Sequence, residues 1–441
     1  MASQTTDSRA GSIDRAYPWI VVGLLWVCGF LNYADRQAVT AVIPILEKKF
    51  ELTPEQIGWV GSSFMIVYFL AAPFAGYLVD LMPRRHLISA GLAFWSLICA
   101  ATALSRNFGE LVFFRGAEGL GESFYFPASM SLLAAYHGAG TRSRAMSIHQ
   151  TSVYVGQAGG VMLAGNLAER YGWPSPFWVL GIIGIVYAIG LAFVLREPQE
   201  KPHAEPIDPA EAAFTLPDHA TEFEHPRAPF SPSAFMAKVK NVLENPAVVL
   251  LFLVFIGANF VAAGFMVWLV KFIDFTFKQR LTFSANISAI WSIASLFGAL
   301  LGGVLADKAA SRLGGRVLVQ GLGLLIGAPF VLMAGWASSI PMLVVGLIGS
   351  GLCKGVYDSN IFASLYDVVR AEDRGFAAGL MNTVGWAGGA LASVAIGYSA
   401  RAYGLSAAFA SMAGVYIVAG LLGLLTSVIV RSRAARQAPP A

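Results

Sequence analysis

Apolar runs of about the length of a membrane-spanning helix recur along almost the whole chain, separated by short polar turns. A span needs about 20 mostly apolar residues. Twelve stretches qualify: 18–43, 57–79, 86–105, 110–136, 145–168, 176–195, 247–272, 283–306, 317–336, 340–367, 375–399 and 405–430. The pattern predicts an all-α membrane protein with twelve transmembrane helices. Pro44, Pro73, Pro127 and Pro329 fall inside or beside these runs, as bundled membrane helices tolerate.

The pattern fails between Arg196 and Asn245, where prolines alternate with scattered acids and with His203, His219 and His225. Such a stretch cannot bury a core and reads as a largely disordered linker. It divides the chain into a polar tail (1–17), a six-helix half (18–195), the linker (196–245), a second six-helix half (246–430) and a short tail (431–441). The irregular histidine spacing argues against a metal loop.

Lys and Arg distribute unevenly between alternate turns. With the N-terminus inside, the inner segments hold 19 cations and the outer segments 8. Positive charge favours the cytoplasmic side, so both termini are expected there, with the plasma (inner) membrane as the location. This asymmetry accounts for the net charge of +4 and removes any argument for nucleic acid. Of the 441 residues, 56% are hydrophobic and only 13% charged, where soluble domains carry about 25% charged residues. Residues 1–16 carry no cleavable-signal pattern. Cys28, Cys99 and Cys353 all fall within spans and read as packing residues, with no disulfide framework and no metal spacing. No cofactor motif is present, and the absence of GxxxxGK[ST] excludes an ATP motor of that type.

The halves echo each other. Gly76-Tyr-Leu-Val-Asp80 recurs as Gly303-Val-Leu-Ala-Asp307, 227 residues on. Gly156-Gln-Ala-Gly159-Gly160 recurs as Gly385-Trp-Ala-Gly388-Gly389, 229 on. A duplicated six-helix unit with a site near the membrane midplane is a known transporter plan. GxxxD followed by basic residues resembles the cytoplasmic signature of the major facilitator superfamily. The first copy lacks the usual Arg after Asp80 and the usual Gly before Arg84-Arg85; the second keeps Lys308 after Asp307 but has a longer loop. Asp80, Arg84, Arg85, Asp307 and Lys308 could latch one conformation as the halves rock. The alternative is that the basic residues only set topology.

Charges inside the spans carry the functional reading. Arg115, Glu118 and Glu122 share one face of the fourth span, Glu122 falling about 20° from Arg115 at ~100° per residue. Asp35-Arg36 interrupts the first span. Intramembrane charge normally faces a bundle interior or a water-filled path. Asn32-Tyr33-Ala34-Asp35-Arg36, taken with Arg115, Gly119, Gly121 and Glu122 (NYxDR with RxxxGxGE), resembles the anion:cation symporter family of sugar-acid and organic-anion/proton symporters. Spinster-type lipid transporters share a similar combination.

The resemblance and the chemistry converge on proton-coupled symport of a small organic anion, a sugar acid or carboxylate, by alternating access. Asp35 and Glu122 can each take up a proton, whereas Arg36 and Arg115 stay charged. The two acids are the expected proton-coupling groups and the two arginines the expected carboxylate ligands, since a guanidinium binds carboxylate bidentately. Each arginine could instead neutralise Asp35 or Glu122 permanently. Glu118 departs from the family pattern and is placed to hold Arg115 by an i,i+3 contact.

Tyr33 and Tyr68 could donate hydroxyls to a ligand. Gln150, Tyr154 and Gln157 share one face of the fifth span, from which His149 points away as a packing residue. Asn382 and Trp386, four apart in the eleventh span, suit a polar or sugar-like ligand. Lys354 and Asp358, also four apart, either neutralise each other or offer the ligand a second cation. Asn286, Ser292 and Ser295 suit helix–helix hydrogen bonds.

A lipid transporter would use the same acids with a cavity open to the bilayer, and a hydrophobic cleft in the C-terminal half would favour it. Polar groups converging with Lys354 would favour the small anion. A membrane receptor without transport would make the acids structural. No nucleophile–base or metal constellation indicates an enzyme. The expected partners are an anionic small molecule, protons and the lipid bilayer, with the chain acting as a monomer.

Overall fold

The computed structural model describes residues 4–198, 232–309, 314–370 and 373–437, and all its regular structure is helical. The first half comprises α1 (Gln4–Phe50), α2 (Pro54–Leu81), α3 (Arg84–Thr102), α4 (Phe108–Glu122), α5 (Tyr125–Tyr136), α6 (Ala139–Tyr171) and α7 (Ser175–Val194). A short helix, α8 (Pro232–Leu243), precedes the second half: α9 (Pro246–Phe277), α10 (Leu281–Ala309), α11 (Gly315–Gly335), α12 (Ile340–Asp358), α13 (Ile361–Tyr366), α14 (Arg374–Tyr403) and α15 (Leu405–Gln437).

By length and composition, 10 helical stretches among the described residues can cross a membrane. The expected fourth and fifth spans are the two that do not stand out. The fourth is divided into α4 and α5 and carries Arg115, Glu118 and Glu122; the fifth, α6, bears Arg142, Arg144, Glu169 and Arg170. In the fourth span the charges that suggest a site also weaken the hydropathy signal; in the fifth, His149, Gln150, Gln157 and Asn166 do so between the charged ends.

The fourth span breaks at Ser123-Phe124, one turn ahead of Pro127. Proline has no N–H for the carbonyl four residues back and its ring crowds that carbonyl, so Pro127 sits in the first turn of a new helix. The tenth span breaks at the corresponding point, Ser359-Asn360, without a proline. There the Asn360 side chain donates to the Val356 carbonyl at 3.0 Å and to Gly302 of α10 at 3.2 Å, competing with the helical pattern. Pro18, Pro44, Pro73 and Pro329 lie within unbroken helices.

Three sequence boundaries need correction. Helix α1 begins at Gln4, inside the expected polar tail, and α15 runs on to Gln437. The end of the expected linker folds as α8, where Met236, Val239, Val242 and Leu243 recur at helical spacing and Val242 is buried. Residues 199–231, with His203, His219 and His225, lie outside the described residues.

The duplication is visible in the packing. Helix α1 packs on α6 as α9 packs on α14; α3 packs on α7 as α11 on α15; α2 packs on α4 as α10 on α12. The halves meet chiefly through α2 against α14 and α6 against α10. Lipid tails are as apolar as leucine, so helices in a bilayer associate through close backbone approach and hydrogen bonds. A Cβ on Gly58 would stand 2.6 Å from the Ser393 carbonyl oxygen, and one on Gly397 2.5 Å from that of Pro54. Trp268, fully buried, donates its indole N–H to the same Ser393 carbonyl at 3.2 Å.

Polar contacts close the seam at the end bearing the α1–α2 turn. Lys271 pairs with Glu47 at 2.6 Å and Arg401 with Glu55 at 3.0 Å, and Thr282 N–H donates to Glu169 at 2.6 Å. The Arg401 side chain is 72% exposed, so that pair contributes little; glycine contact carries the closure. Gly58→Leu or Gly397→Leu should push the halves apart at this end. Nitroxide labels at positions 51 and 403 should report a longer distance by electron–electron resonance in either variant, and an unchanged distance would count against this account.

Candidate functional site

Adjacent helical residues point about 100° apart, and this separates Asp35 from Arg36. Arg36 turns toward the middle of the bundle. Its Nε donates to Glu122 Oε2, and its Nη2 donates to Asn32 Oδ1 at 2.9 Å, one turn back on α1. Arg36 is 3% exposed and Glu122 fully buried. Four rings box the guanidinium: Tyr33 at 4.5 Å, Phe64 at 4.8 Å, Tyr68 at 5.1 Å and Trp386 at 5.2 Å. A desolvated cation gains from aromatic faces. Trp386 belongs to α14, so the box spans both halves.

Arg115 donates to Glu118 Oε2 through the i,i+3 contact that the spacing suggests, and its guanidinium stands 4.9 Å from Phe64 on the way to the Arg36 box. The arginines are therefore not neutralised as a reading of neighbours implies: Arg36 is paired with Glu122 rather than Asp35, and Arg115 with Glu118 rather than Glu122. Asp35 turns away to α3 and accepts from Trp95 Nε1 at 3.1 Å. Oxygens of Asp35 and Glu118 lie with the Cys99 sulfur within 4.8 Å of one another, forming a buried acidic corner.

Glycines set this geometry. A Cβ on Gly119 would stand 2.5 Å from the Phe64 carbonyl oxygen of α2, and one on Gly121 2.6 Å from Phe94 of α3. The Gly-Leu-Gly run thus serves close packing, pressing α4 onto both neighbours and carrying Glu118 and Glu122 inward. Among the described residues, one oxygen each of Asp35, Glu118 and Glu122 has no hydrogen-bond partner, nor does Arg36 Nη1 or Arg115 Nε. Buried polar atoms are normally paired, so these are the positions open to a proton or to a ligand's oxygen.

The second half contributes a separate pair. Lys354 binds Asp358 along α12, and Tyr154 of α6 donates its hydroxyl to Asp358 at 3.2 Å. Gln157 accepts from Ser292 at 3.4 Å, and both line a cavity of about 20 Å³ with Gln37, Ser288 and Trp291, room for about one water. Gln150 is exposed and joins neither cluster. Asn382 is half-buried and makes no hydrogen bond among the described residues. His149 is buried and bonded to the Tyr125 hydroxyl at 2.7 Å, in keeping with a packing role. Asn286 meets Asn166 across the seam at 3.4 Å.

Of the expected latch, the side chain of Asp80 lies outside the described residues, and Asp307 and Lys308 are exposed. Arg84 stands 3.7 Å from Glu197, which also accepts from the Arg85 backbone N–H at 3.1 Å. Arg316 pairs with Asp367 at 2.8 Å in the second half. Sequence reasoning missed Glu197, Asp367, Phe64 and Trp95, and quoted Asn32 in the first-span motif without assigning it a role. Asn32 lies one helical turn before Arg36, a spacing that brings their side chains together; the other four meet their partners only through tertiary contacts.

Removing one partner of a buried ion pair leaves the other charge uncompensated. Glu118→Leu should therefore destabilise the protein by on the order of 3 kcal/mol, read as a lower melting temperature in detergent. The double change Arg115→Leu/Glu118→Leu should recover most of that loss. A double variant no more stable than Glu118→Leu would count against the pairing.

Residues 25–313 and 282–441 match the Major Facilitator Superfamily. Protein spinster homolog 1 of Mus musculus is 27% identical over 346 residues, covering 74% of this chain and 62% of its own length. The chain thus spans less than two thirds of that relative. The probable galactarate/D-glucarate transporter GudP of Escherichia coli is 22% identical over 436 residues, covering 97% of this chain and 96% of its own. The chloroplastic ascorbate transporter of Arabidopsis thaliana is 23% identical, covering 93% and 79%. A crystal structure of a bacterial homolog to the human lysosomal transporter spinster, inward-facing and unoccupied, shares the fold with a TM-score of 0.80 at 19% identity, covering 96% of this chain and 99% of that one. The chain belongs to the major facilitator superfamily and is a multi-pass membrane protein.

Proposed function

We propose that the protein is a proton-coupled symporter of a small organic anion, a sugar acid or carboxylate, acting as a monomer in the plasma (inner) membrane with both termini cytoplasmic. The observation that carries this reading is the buried Arg36–Glu122 pair inside a box completed by Trp386 of the other half. Arg36 cannot lose its charge, but Glu122 can accept a proton. Protonated Glu122 no longer competes as an anion, and Arg36 is released to take the substrate carboxylate through its planar fork of donors. Asp35 is the second proton-coupling group. No arginine pairs with it, and its free oxygen is buried. Arg115, Tyr33, Tyr68, Tyr154, Gln157 and Lys354 complete the binding groups, and Gln150, Asn382 and Trp386 extend them along their helices. Asp80, Arg84, Arg85, Asp307 and Lys308 serve the latch at the linker end, with Glu197 as acceptor for the basic pair. Relatives named for galactarate/D-glucarate and ascorbate lend support.

A second reading, proton-linked transport of a lysolipid or other lipid, has its own observation. An apolar cleft of about 380 Å³ opens between α9 and α15, lined by Leu253, Gly257, Val415, Val418 and Leu422. The spinster relatives agree with it. The cleft uses the face of α9 that meets Ala419, whereas Phe255 and Ile256 meet Gly385 and Gly388 of α14. It therefore lies away from Trp386 and the charged box, which is why the small anion is preferred.

Purified protein in proteoliposomes under an imposed pH gradient should accumulate sugar acids or carboxylates and not lysolipid. Lysolipid uptake with every anion failing would reverse the choice. Glu122→Gln should keep anion exchange at equal pH on both sides while losing accumulation driven by the gradient. If its net uptake stayed fully pH-dependent, Glu122 would not be a coupling group.

A further inference from the structure

Two cations reach the seam from opposite halves. Arg36 comes from α1. Lys354 comes from α12, with its ammonium 5.3 Å from the Trp291 ring and 5.7 Å from the ring of Tyr154, which belongs to the first half. Each cation is held by an acid, Glu122 for Arg36 and Asp358 for Lys354. Tyr33 stands between the two neighbourhoods: its ring is 4.5 Å from the Arg36 guanidinium, and a Cβ on Gly156, two residues past Tyr154 on α6, would stand 2.9 Å from its own Cβ.

An i,i+4 Lys–Asp pair can neutralise itself along its own helix, and needs nothing from another domain. Here the same Asp358 oxygen that binds Lys354 also accepts the Tyr154 hydroxyl across the seam. The pair is also less enclosed than its counterpart: the side chains of Lys354 and Asp358 are 11% and 22% exposed, against 4% and 0% for Arg36 and Glu122. A carboxylate shared between halves, beside a cation with partial access, is placed to be exchanged for another anion.

We propose that the substrate is a dianion, with one acid group taken by Arg36 in place of Glu122 and the other by Lys354 in place of Asp358. The proposal rests on the small-anion reading above and names the charge of that anion. A count of charges separates it from the monoanion case. Asp35, Glu118, Glu122 and Asp358 against Arg36, Arg115 and Lys354 leave the empty site with one net negative charge. A dianion entering with two protons, on Asp35 and Glu122, leaves that balance unchanged. A monoanion with the same two protons would bring it from −1 to zero, so its uptake would move net charge and respond to the membrane potential. Anchoring the two ends of one molecule in different halves also makes full occupancy depend on the halves coming together, as alternating access requires.

The test uses the full chain in proteoliposomes with the membrane potential clamped by potassium and valinomycin. Matched pairs of equal carbon skeleton are compared: D-glucarate with D-gluconate, and succinate with butyrate. The expected result is a KM for at least one dianion about tenfold or more below that of its monoanionic partner, with uptake driven by the pH gradient and indifferent to the potential. Lys354→Gln should bring the KM ratio of that pair close to one, and Lys354→Arg should retain most of the preference. The double change Lys354→Gln/Asp358→Asn, which leaves no unpaired acid, guards against loss of folding and should behave like Lys354→Gln. Monoanions transported as well as their dianionic partners would overturn the proposal, as would a preference that survives in the double variant. Both outcomes leave the small-anion reading standing. Failure of all four anions, with lysolipid transported instead, would remove that reading and this inference together.

Discussion

An arginine that keeps its charge at the middle of an apolar helix sets the terms for everything around it. Arg36 has left water, and the loss is offset by Glu122, by the Asn32 side chain and by four aromatic rings. Helices α2 and α4 reach the centre to meet this cation or its partner. Helix α4 brings Glu122 inward because Gly119 and Gly121 let its backbone approach α2 and α3. Helix α2 supplies Phe64 and Tyr68. A permanently paired arginine would be a structural ion pair. Under the proposed function this pair differs in that Glu122 takes up a proton and releases the arginine.

The same cation ties the halves together chemically as well as sterically. Trp386 of α14 closes the Arg36 box, and α2 and α14 form one of the two main contacts across the seam. Movement of the halves therefore changes the surroundings of Arg36 directly, without a relay through intervening residues. At the end bearing the α1–α2 turn the seam is shut by glycine packing and by the Glu47–Lys271 pair. The proposed coupling needs only that anion and proton bind differently in the two arrangements of the halves.

The second charged pair breaks the symmetry of the duplicated fold. The halves repeat one another in helix order, in packing partners and in the break of the fourth and tenth spans. Their charges do not repeat: three acids and two arginines lie at the centre of the first half, and Lys354 with Asp358 faces them from the second. The fold supplies a two-fold frame, and the charges occupy it unequally.

Apolar run lengths, the linker composition and the repeated glycine motifs determined the membrane class, the two halves and the family, because each depends on residues close together in the chain. The pairs Arg115–Glu118 and Lys354–Asp358 were legible for the same reason: helical spacing alone brings i,i+3 and i,i+4 side chains together. Run length marked the fourth and fifth spans although charges in the fourth and polar residues in the fifth dilute their hydropathy, and it missed α8, which follows a proline-rich stretch. The pairing of Arg36 with Glu122, the turn of Asp35 toward Trp95 and the part played by Phe64 and Trp386 were decided only by tertiary structure. Those contacts join residues on different helices. Which acid meets which arginine depends on the rotation and depth of each helix, and the glycine contacts between α4, α2 and α3 set both.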